Sequence, residues 1–107
     1  MKSVKLIVAY RQPTDASAFE KVYAEEHVPM AIANLHGKTK IVATKVLPSP
    51  QCENSFYRVA EVHFPSIEVL QKCAESAGGK QTLANAVKIS SGGPPVILIA
   101  EEDTFTF

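Results

Sequence analysis

Two short apolar runs, one near each end of the chain, constrain the fold more than any other feature of the sequence. They read VKLIVAY over residues 4–10 and VILIAE over residues 96–101. Strands that are apolar on successive residues are typical of a sheet that is covered on both faces. We therefore predict that the two runs are strands of one sheet, and we expect a covering layer on each side of it.

The segment that follows the first run predicts a long amphipathic helix. Thr14 or Asp15 is suited to cap this helix, because a short polar side chain can accept a hydrogen bond from the first turn. We expect the helix over residues 16–34, with an irregularity near Pro29, which has no backbone N–H to donate. Gly37 is suited to the left-handed conformation that ends helices.

The rest of the chain predicts two further strands, a second helical region and the last apolar strand. In the second helical region we expect Leu83, Ala84 and Val87 to face the core. The elements are expected at residues 40–47 and 56–64 (strands), 67–76 (helix, followed by a break at Gly78-Gly79), 80–88 (helical turn) and 96–101 (strand).

This β-α-β-β-α-β order is that of the ferredoxin-like fold, in the α+β class. It predicts one domain over residues 1–107, with an antiparallel four-stranded sheet in the order 4-1-3-2 and both helices on one face. The other face is also apolar, and helices do not cover it. The economical cover is a second copy of the chain, so we predict a homodimer in which two sheets form an α/β barrel.

Composition excludes several classes of function. The 107 residues have a formal net charge of zero, so the chain lacks the basic surface that nucleic-acid binding requires. No apolar run approaches the ~20 residues of a membrane helix. Cys52 and Cys73 belong to no CxxC or Cys/His cluster, and we interpret them as reduced thiols in a cytoplasmic protein rather than as a disulfide.

Three segments together resemble a known family. They read YRQPxDxxxFxxxYxxxHVP, YRVAEVHFPSIEVLQ and SxGGPPVILIAEE, and they span nearly the whole chain. The pattern resembles the EthD family, named after ethyl tert-butyl ether degradation, within the dimeric α/β-barrel superfamily. The resemblance implies the barrel dimer, and it leads us to expect an aspartate where this chain has Asn85. Related barrels include cofactor-free monooxygenases, lactone isomerases and polyketide cyclases.

His27 is the residue best suited to chemistry. Residues four apart share a helix face, so Phe19, Tyr23 and His27 should all point towards the sheet. Burial there would favour the neutral imidazole, which can act as a general base. The alternative is a core histidine that is hydrogen-bonded to a backbone carbonyl next to Pro29.

Tyr10 and Arg58 are the groups that we predict to stabilise an oxyanion beside His27. Arg58 shares a strand face with Phe64, whereas Tyr57 should lie on the opposite face. The alternatives are packing roles for the tyrosines and an ion pair for Arg58. The predicted catalytic residues are His27, Tyr10 and Arg58, the predicted ligand-binding residues are Phe19, Tyr23, Met30 and Phe64, and the acidic partners considered for Arg58 are Glu25, Glu26 and Glu101.

We predict neither a metal nor a cofactor. Glu61 and His63 are two residues apart on one strand face, but two ligands do not make a metal site, and polar pairing at the dimer interface is the better interpretation. The chain contains no GxGxxG, P-loop or HExxH motif.

Three functions remain open at this point. The chain is a small cofactor-free enzyme (an isomerase, a cyclase or a monooxygenase-like protein) acting on a small hydrophobic, oxygenated or aromatic molecule, with His27 abstracting a proton. Alternatively, it is a non-catalytic accessory protein that binds such a molecule in the same cleft between helix and sheet. The third possibility is a plain structural dimer with a filled core.

Overall fold

The strands and helices occur along the chain in the predicted β-α-β-β-α-β order, and the helices form one layer. The computed structural model describes residues 3–49 and 56–107. The elements are β1 (Ser3–Arg11), α1 (Ala16–Val22), a π-helical segment (Tyr23–His27), α2 (Val28–Asn34), β2 (Lys40–Lys45), β3 (Phe56–Phe64), α3 (Ile67–Glu75), α4 (Ala77–Lys88) and β4 (Val96–Glu102).

The strands form one antiparallel sheet with the order β2-β3-β1-β4. Read from the β4 edge, this is the predicted order 4-1-3-2, and the chain has a ferredoxin-like α+β fold. The apolar run in β1 lies in the interior of the sheet, between β3 and β4. Leu6, for example, lies opposite Val62 on one side and Ile99 on the other.

The helices cover one face of the sheet, and alternate residues of β1 supply the core beneath them. Val4, Leu6, Val8 and Tyr10 are all buried there. The side chains of successive strand residues point to opposite faces. The intervening residues of β1 therefore belong to the face that carries no helix.

The first helical region confirms the prediction that it is interrupted near Pro29. Asp15 caps α1, because its Oδ1 accepts a hydrogen bond from the backbone N–H of Ala18 at 3.1 Å. The irregularity is the π-helical segment, which ends two residues before Pro29. Gly37 has the expected positive φ, at 90°.

The second helical region differs from the prediction. The break comes at Ser76, and Gly78-Gly79 lie inside α4. Ser76 starts the new helix because its side-chain oxygen accepts a hydrogen bond from the N–H of Gly79. The predicted inward face was wrong for Ala84 and Val87, which are exposed, and the buried α4 residues are Gly79, Thr82, Asn85 and Ala86.

The helix-free face of the sheet, called the open face below, is partly apolar and partly ionic. Leu98 in β4 lies opposite Ile7 on this face and is 51% exposed. One ion pair on this face forms within the chain, where Lys5 Nζ lies 2.5 Å from Glu61 Oε1. His63 Nδ1 lies 3.1 Å from Glu102 Oε1.

Two further predictions concern the cysteines and membrane-spanning helices. Cys73 is a buried free thiol, whereas Cys52 and most of the turn predicted at residues 48–54 lie outside the described residues. Over residues 3–49 and 56–107, no helix combines the length and the apolar character that crossing a membrane would require.

We predict that Gly79→Ala destabilises the fold, because the added Cβ would lie 1.9 Å from the carbonyl oxygen of Cys73. Overpacking of this kind typically costs about 1–3 kcal/mol. Urea unfolding measures the change. Lys80→Ala, at the exposed neighbouring position, is the control and should change the free energy of unfolding by less than about 0.5 kcal/mol. Equal unfolding midpoints for the two variants would contradict the prediction.

Candidate functional site

Three stacked rings on the helix layer face one tyrosine on the sheet. Phe19 stacks on Tyr23 with ring centres 5.5 Å apart, and Tyr23 stacks on His27 at 5.8 Å. Tyr10 of β1 meets all three rings edge-on, at interplanar angles of 64°, 81° and 82°. The predicted face of Phe19, Tyr23 and His27 is therefore the face that the structure turns to the sheet.

The hydroxyl of Tyr10 reaches the imidazole of His27. Tyr10 Oη lies 3.1 Å from His27 Nε2, and both side chains are buried. Burial raises the pKa of Tyr10. Burial also lowers the pKa of His27, opposed by its hydrogen bond to Asn85 and by the charge of Glu26. At neutral pH the pair therefore consists of a neutral phenol and a neutral imidazole.

The second ring nitrogen of His27 contacts α4. His27 Nδ1 lies 2.8 Å from Oδ1 of the buried Asn85. Asn85 in turn donates from Nδ2 to Glu26 Oε1 at 3.0 Å. The alternative in which His27 bonds a backbone carbonyl next to Pro29 is not what the structure shows, since both ring nitrogens have side-chain partners.

The π-helical segment gives His27 its position. The backbone N–H of Val28 bonds to the carbonyl of Tyr23, five residues back, so this turn is wider than an α-helical turn. Pro29 explains why the widening occurs here, because proline donates no hydrogen bond and its ring collides with the carbonyl four residues earlier. The wider turn still leaves Tyr23 and His27 on the same side.

A small apolar cavity adjoins the Tyr10–His27 pair. Its volume is about 40 Å³, which is room for a few water molecules. It lies between the sheet and the helices, and its lining is mostly aliphatic. The lining residues are Leu6, Val8, Tyr10, Tyr23, His27, Val28, Ala31, Leu35, Ile41, Ala60, Val62, Thr82, Leu83 and Ala86.

Arg58 is not part of that lining. Its Nη2 donates to both carboxylate oxygens of Glu20, at 3.0 and 2.9 Å. Its guanidinium carbon lies 5.2 Å from the ring centre of Tyr23. The prediction of an ion pair was right in kind, but the partner is Glu20 and none of the three acidic residues considered. Burial would raise the pKa of Glu20, but the hydrogen bonds from Arg58 and Tyr57 outweigh it and lower the pKa.

A β-bulge brings Tyr57 close to the Arg58–Glu20 ion pair. Tyr10 pairs with Arg58, but Arg11 pairs with Phe56, so Tyr57 is left without a partner across the ladder. Tyr57 therefore does not follow the strict alternation that assigned it to the open face. Its hydroxyl donates to Glu20 Oε1 at 2.9 Å on the helix side.

The predicted ligand-binding residues separate into two groups. Tyr23 lines the cavity, and Phe19 stacks directly on Tyr23. Met30 does not line the cavity. Phe64 lies instead in another part of the core, at a gap of about 10 Å³ that Leu70 and Cys73 also line. Within the described parts of the chain, no three His, Cys, Asp or Glu residues come close enough together to hold a metal ion.

Comparison with known sequences identifies a domain family. The family model of the EthD domain matches residues 11–88. An uncharacterized 11.0 kDa protein of Rhodococcus erythropolis, from the thcB-thcC intergenic region, is 24% identical over 104 residues, which cover 92% of this chain and 94% of that protein.

Comparison with solved structures agrees. An EthD family protein from Bacillus halodurans is 32% identical, with a TM-score of 0.86 over 96% of this chain and all of that chain. A hydroxynitrile lyase from Passiflora edulis is 16% identical, with a TM-score of 0.71 over 98% of both chains. A dimeric ferredoxin-like protein of unknown function from Jannaschia is 12% identical, with a TM-score of 0.67 over 95% of this chain and all of that chain. The last two similarities show the fold alone.

The lowered pKa of His27 predicts a pH-dependent stability. Below about pH 6.5, its ordinary value, the unfolded chain takes up a proton that folded His27 does not, so the free energy of unfolding falls as the pH falls through this window. The slope from one histidine is at most about 1.4 kcal/mol per pH unit.

Urea unfolding of the natural protein and of His27→Gln, at intervals between pH 8 and pH 4.5, measures this contribution. The natural protein should lose stability more steeply below pH 6.5 than the variant does. The other two histidines are present in both proteins, so their titration cancels in the difference. Parallel curves would show that burial does not shift the pKa of His27.

Proposed function

The chain belongs to the EthD domain family, and on that basis we propose that it binds a small hydrophobic, oxygenated or aromatic compound between its helices and its sheet and transforms it by cofactor-free acid–base chemistry. The observation that carries the proposal is the 3.1 Å contact between Tyr10 Oη and His27 Nε2. This contact is buried and lies at the wall of an apolar cavity. A neutral imidazole that accepts a hydrogen bond is a suitable general base.

The geometry favours a particular division of roles. Tyr10 lies between the sheet and the imidazole, so its hydroxyl is placed to meet the oxygen of a ligand in the cavity. His27 stands behind it and accepts the hydrogen bond of the Tyr10 hydroxyl, or accepts a proton from the ligand when the ligand displaces that hydroxyl. Arg58 has a smaller part in this proposal than the sequence suggested, because its guanidinium already holds Glu20.

The mostly aliphatic lining of the cavity favours a second candidate function, a non-catalytic accessory protein. Ligand pockets usually measure about 300–1,000 Å³, whereas this cavity is about 40 Å³. A ligand of aromatic size therefore has to move the helix layer away from the sheet. An accessory protein that holds its ligand without turnover needs the same opening but not the Tyr10–His27 pair.

We predict that His27→Gln weakens ligand binding about five- to twelvefold, since a lost hydrogen bond to a ligand is worth roughly 1–1.5 kcal/mol. Calorimetric titration with a panel of small phenols and cyclic ketones measures the affinity. His63→Gln is the matched control, because His63 is equally buried but lies on the open face. Equal affinity of the natural protein and His27→Gln for a ligand that binds at the cavity would contradict the proposal.

The same ketones separate the two candidate functions. An enzyme that abstracts a proton next to a carbonyl exchanges that proton for deuterium in D₂O, and NMR of the ketone follows the exchange. Exchange that depends on both His27 and Tyr10 supports acid–base chemistry. Binding without exchange supports the accessory function.

We also propose that two copies pack their open faces together to form the barrel dimer. Three apolar side chains of the open face support this: Ile7, Val42 and Leu98. Burial of apolar surface contributes about 25 cal/mol per Å², and obligate dimers commonly bury more than about 2,000 Å² in total. The dimeric Jannaschia protein with the same fold also supports it.

A cytoplasmic location remains a prediction from the cysteines.

We predict that Leu98→Lys disrupts this dimer, because it places a charge in the apolar part of the open face. Light scattering should give twice the chain mass of 11.6 kDa for the natural protein at micromolar concentration and a lower mass for the variant. Val87→Lys is the control, since Val87 is also 51% exposed but lies on α4. A natural protein that is monomeric at this concentration would refute the proposed dimer.

A further inference from the structure

The buried amide of Asn85 stands between a histidine and a carboxylate. Its Oδ1 lies 2.8 Å from His27 Nδ1, and its Nδ2 lies 3.0 Å from Glu26 Oε1. Asn85 is only 7% exposed, whereas Glu26 is largely in solvent. The chain of contacts therefore runs from the protein surface through α4 to the imidazole, and from there to Tyr10.

Of these four hydrogen-bonded groups, only one has a fixed role as donor or acceptor. The hydroxyl of Tyr10 can donate or accept, the amide of Asn85 can present either end, and a neutral imidazole exists in two tautomers. An ionised carboxylate only accepts. Glu26 therefore requires the NH₂ group of Asn85, which turns the amide carbonyl towards His27.

We propose that Glu26 and Asn85 act as positioning residues that fix the tautomer of His27. The carbonyl of Asn85 requires a proton on Nδ1, so Nε2 is left without one and accepts from Tyr10. This order directs the Tyr10 proton towards His27 and leaves the lone pairs of the Tyr10 oxygen for a ligand. The consequence for chemistry rests on the proposed function, but the tautomer is a property of the protein without a ligand.

The residue types suit this role better than the obvious substitutes would. An aspartate at position 85 could not donate to Glu26, and its charge would favour the protonated imidazole. Asn85 donates to the Glu26 carboxylate and so presents an acceptor to His27, while itself remaining uncharged. The groups that face His27 are Tyr10 from β1, Tyr23 and Glu26 from its own helix, and Asn85 from α4.

NMR of ¹⁵N-histidine-labelled protein at pH 8, without any ligand, tests the proposal, because the two tautomers give different ring-nitrogen shifts. The natural protein should show His27 protonated on Nδ1 alone. Glu26→Gln keeps the shape of the side chain but not its fixed role as acceptor, since the glutamine amide can either donate to Asn85 or accept from it. Its two ring-nitrogen shifts should move towards each other. Glu25→Gln removes the same charge from the neighbouring exposed position and should leave the spectrum unchanged.

A double variant distinguishes a directional role from a merely structural one. In Glu26→Gln combined with Asn85→Asp, the glutamine donates to the new carboxylate, which again accepts from Nδ1. The single Nδ1 tautomer should return once the pH is raised far enough to remove the second proton that the charge of the aspartate favours on Nε2. His27 protonated on Nε2 in the natural protein, or an unchanged spectrum in Glu26→Gln, would overturn the proposal. Neither result depends on whether a ligand or a reaction is ever found, so a failure here and a failure of the proposed function are separate outcomes.

Discussion

The burial of one phenol organises this fold. Tyr10 comes from β1, inside the sheet, and is 1% exposed, and a buried hydroxyl without a partner would cost free energy. The helix layer supplies that partner in His27, and it surrounds the ring edge with the stacked faces of Phe19 and Tyr23. Edge-to-face contacts of this kind add about 0.5–1.5 kcal/mol per pair beyond area burial. The contact that holds helix to sheet and the contact proposed for chemistry are therefore the same.

Much of the fold could be predicted from the sequence because its signals are local. The apolar runs predicted β1 and β4, of which β1 lies in the interior of the sheet and β4 at its edge. The i, i+4 spacing predicted the inward face of Phe19, Tyr23 and His27, and Pro29 marked the interruption. The prediction that failed concerns the start of α4, which depends on a single hydrogen bond. Ser76 starts α4 two residues before Gly78-Gly79, which were expected to end a helix. The buried Asn85 was not among the predicted inward residues, all of which are apolar.

The candidate site was predictable in part. Tyr10 and His27 were expected together because each lies on a buried face, and the structure brings them together. The neighbours of Arg58 were not predictable, since a bulge leaves no clear trace in an alternating sequence. The bulge places Tyr57 beside Arg58, and Glu20 binds both. Met30 was predicted to bind a ligand, but Ala31 rather than Met30 reaches the cavity.

Several irregular features of the molecule coincide beside His27, and this coincidence is the strongest general argument for a site there. Helix α3 and the core around Phe64 and Leu70 obey the ordinary rules of capping and apolar burial. Next to His27, by contrast, a π-helical turn, a buried imidazole, a buried amide and an unfilled apolar space occur together. Each of these lowers stability compared with a regular helix on a filled core. Sequences that otherwise follow the rules of folding depart from them mainly at functional sites. A plain structural dimer would have no need of this group of exceptions.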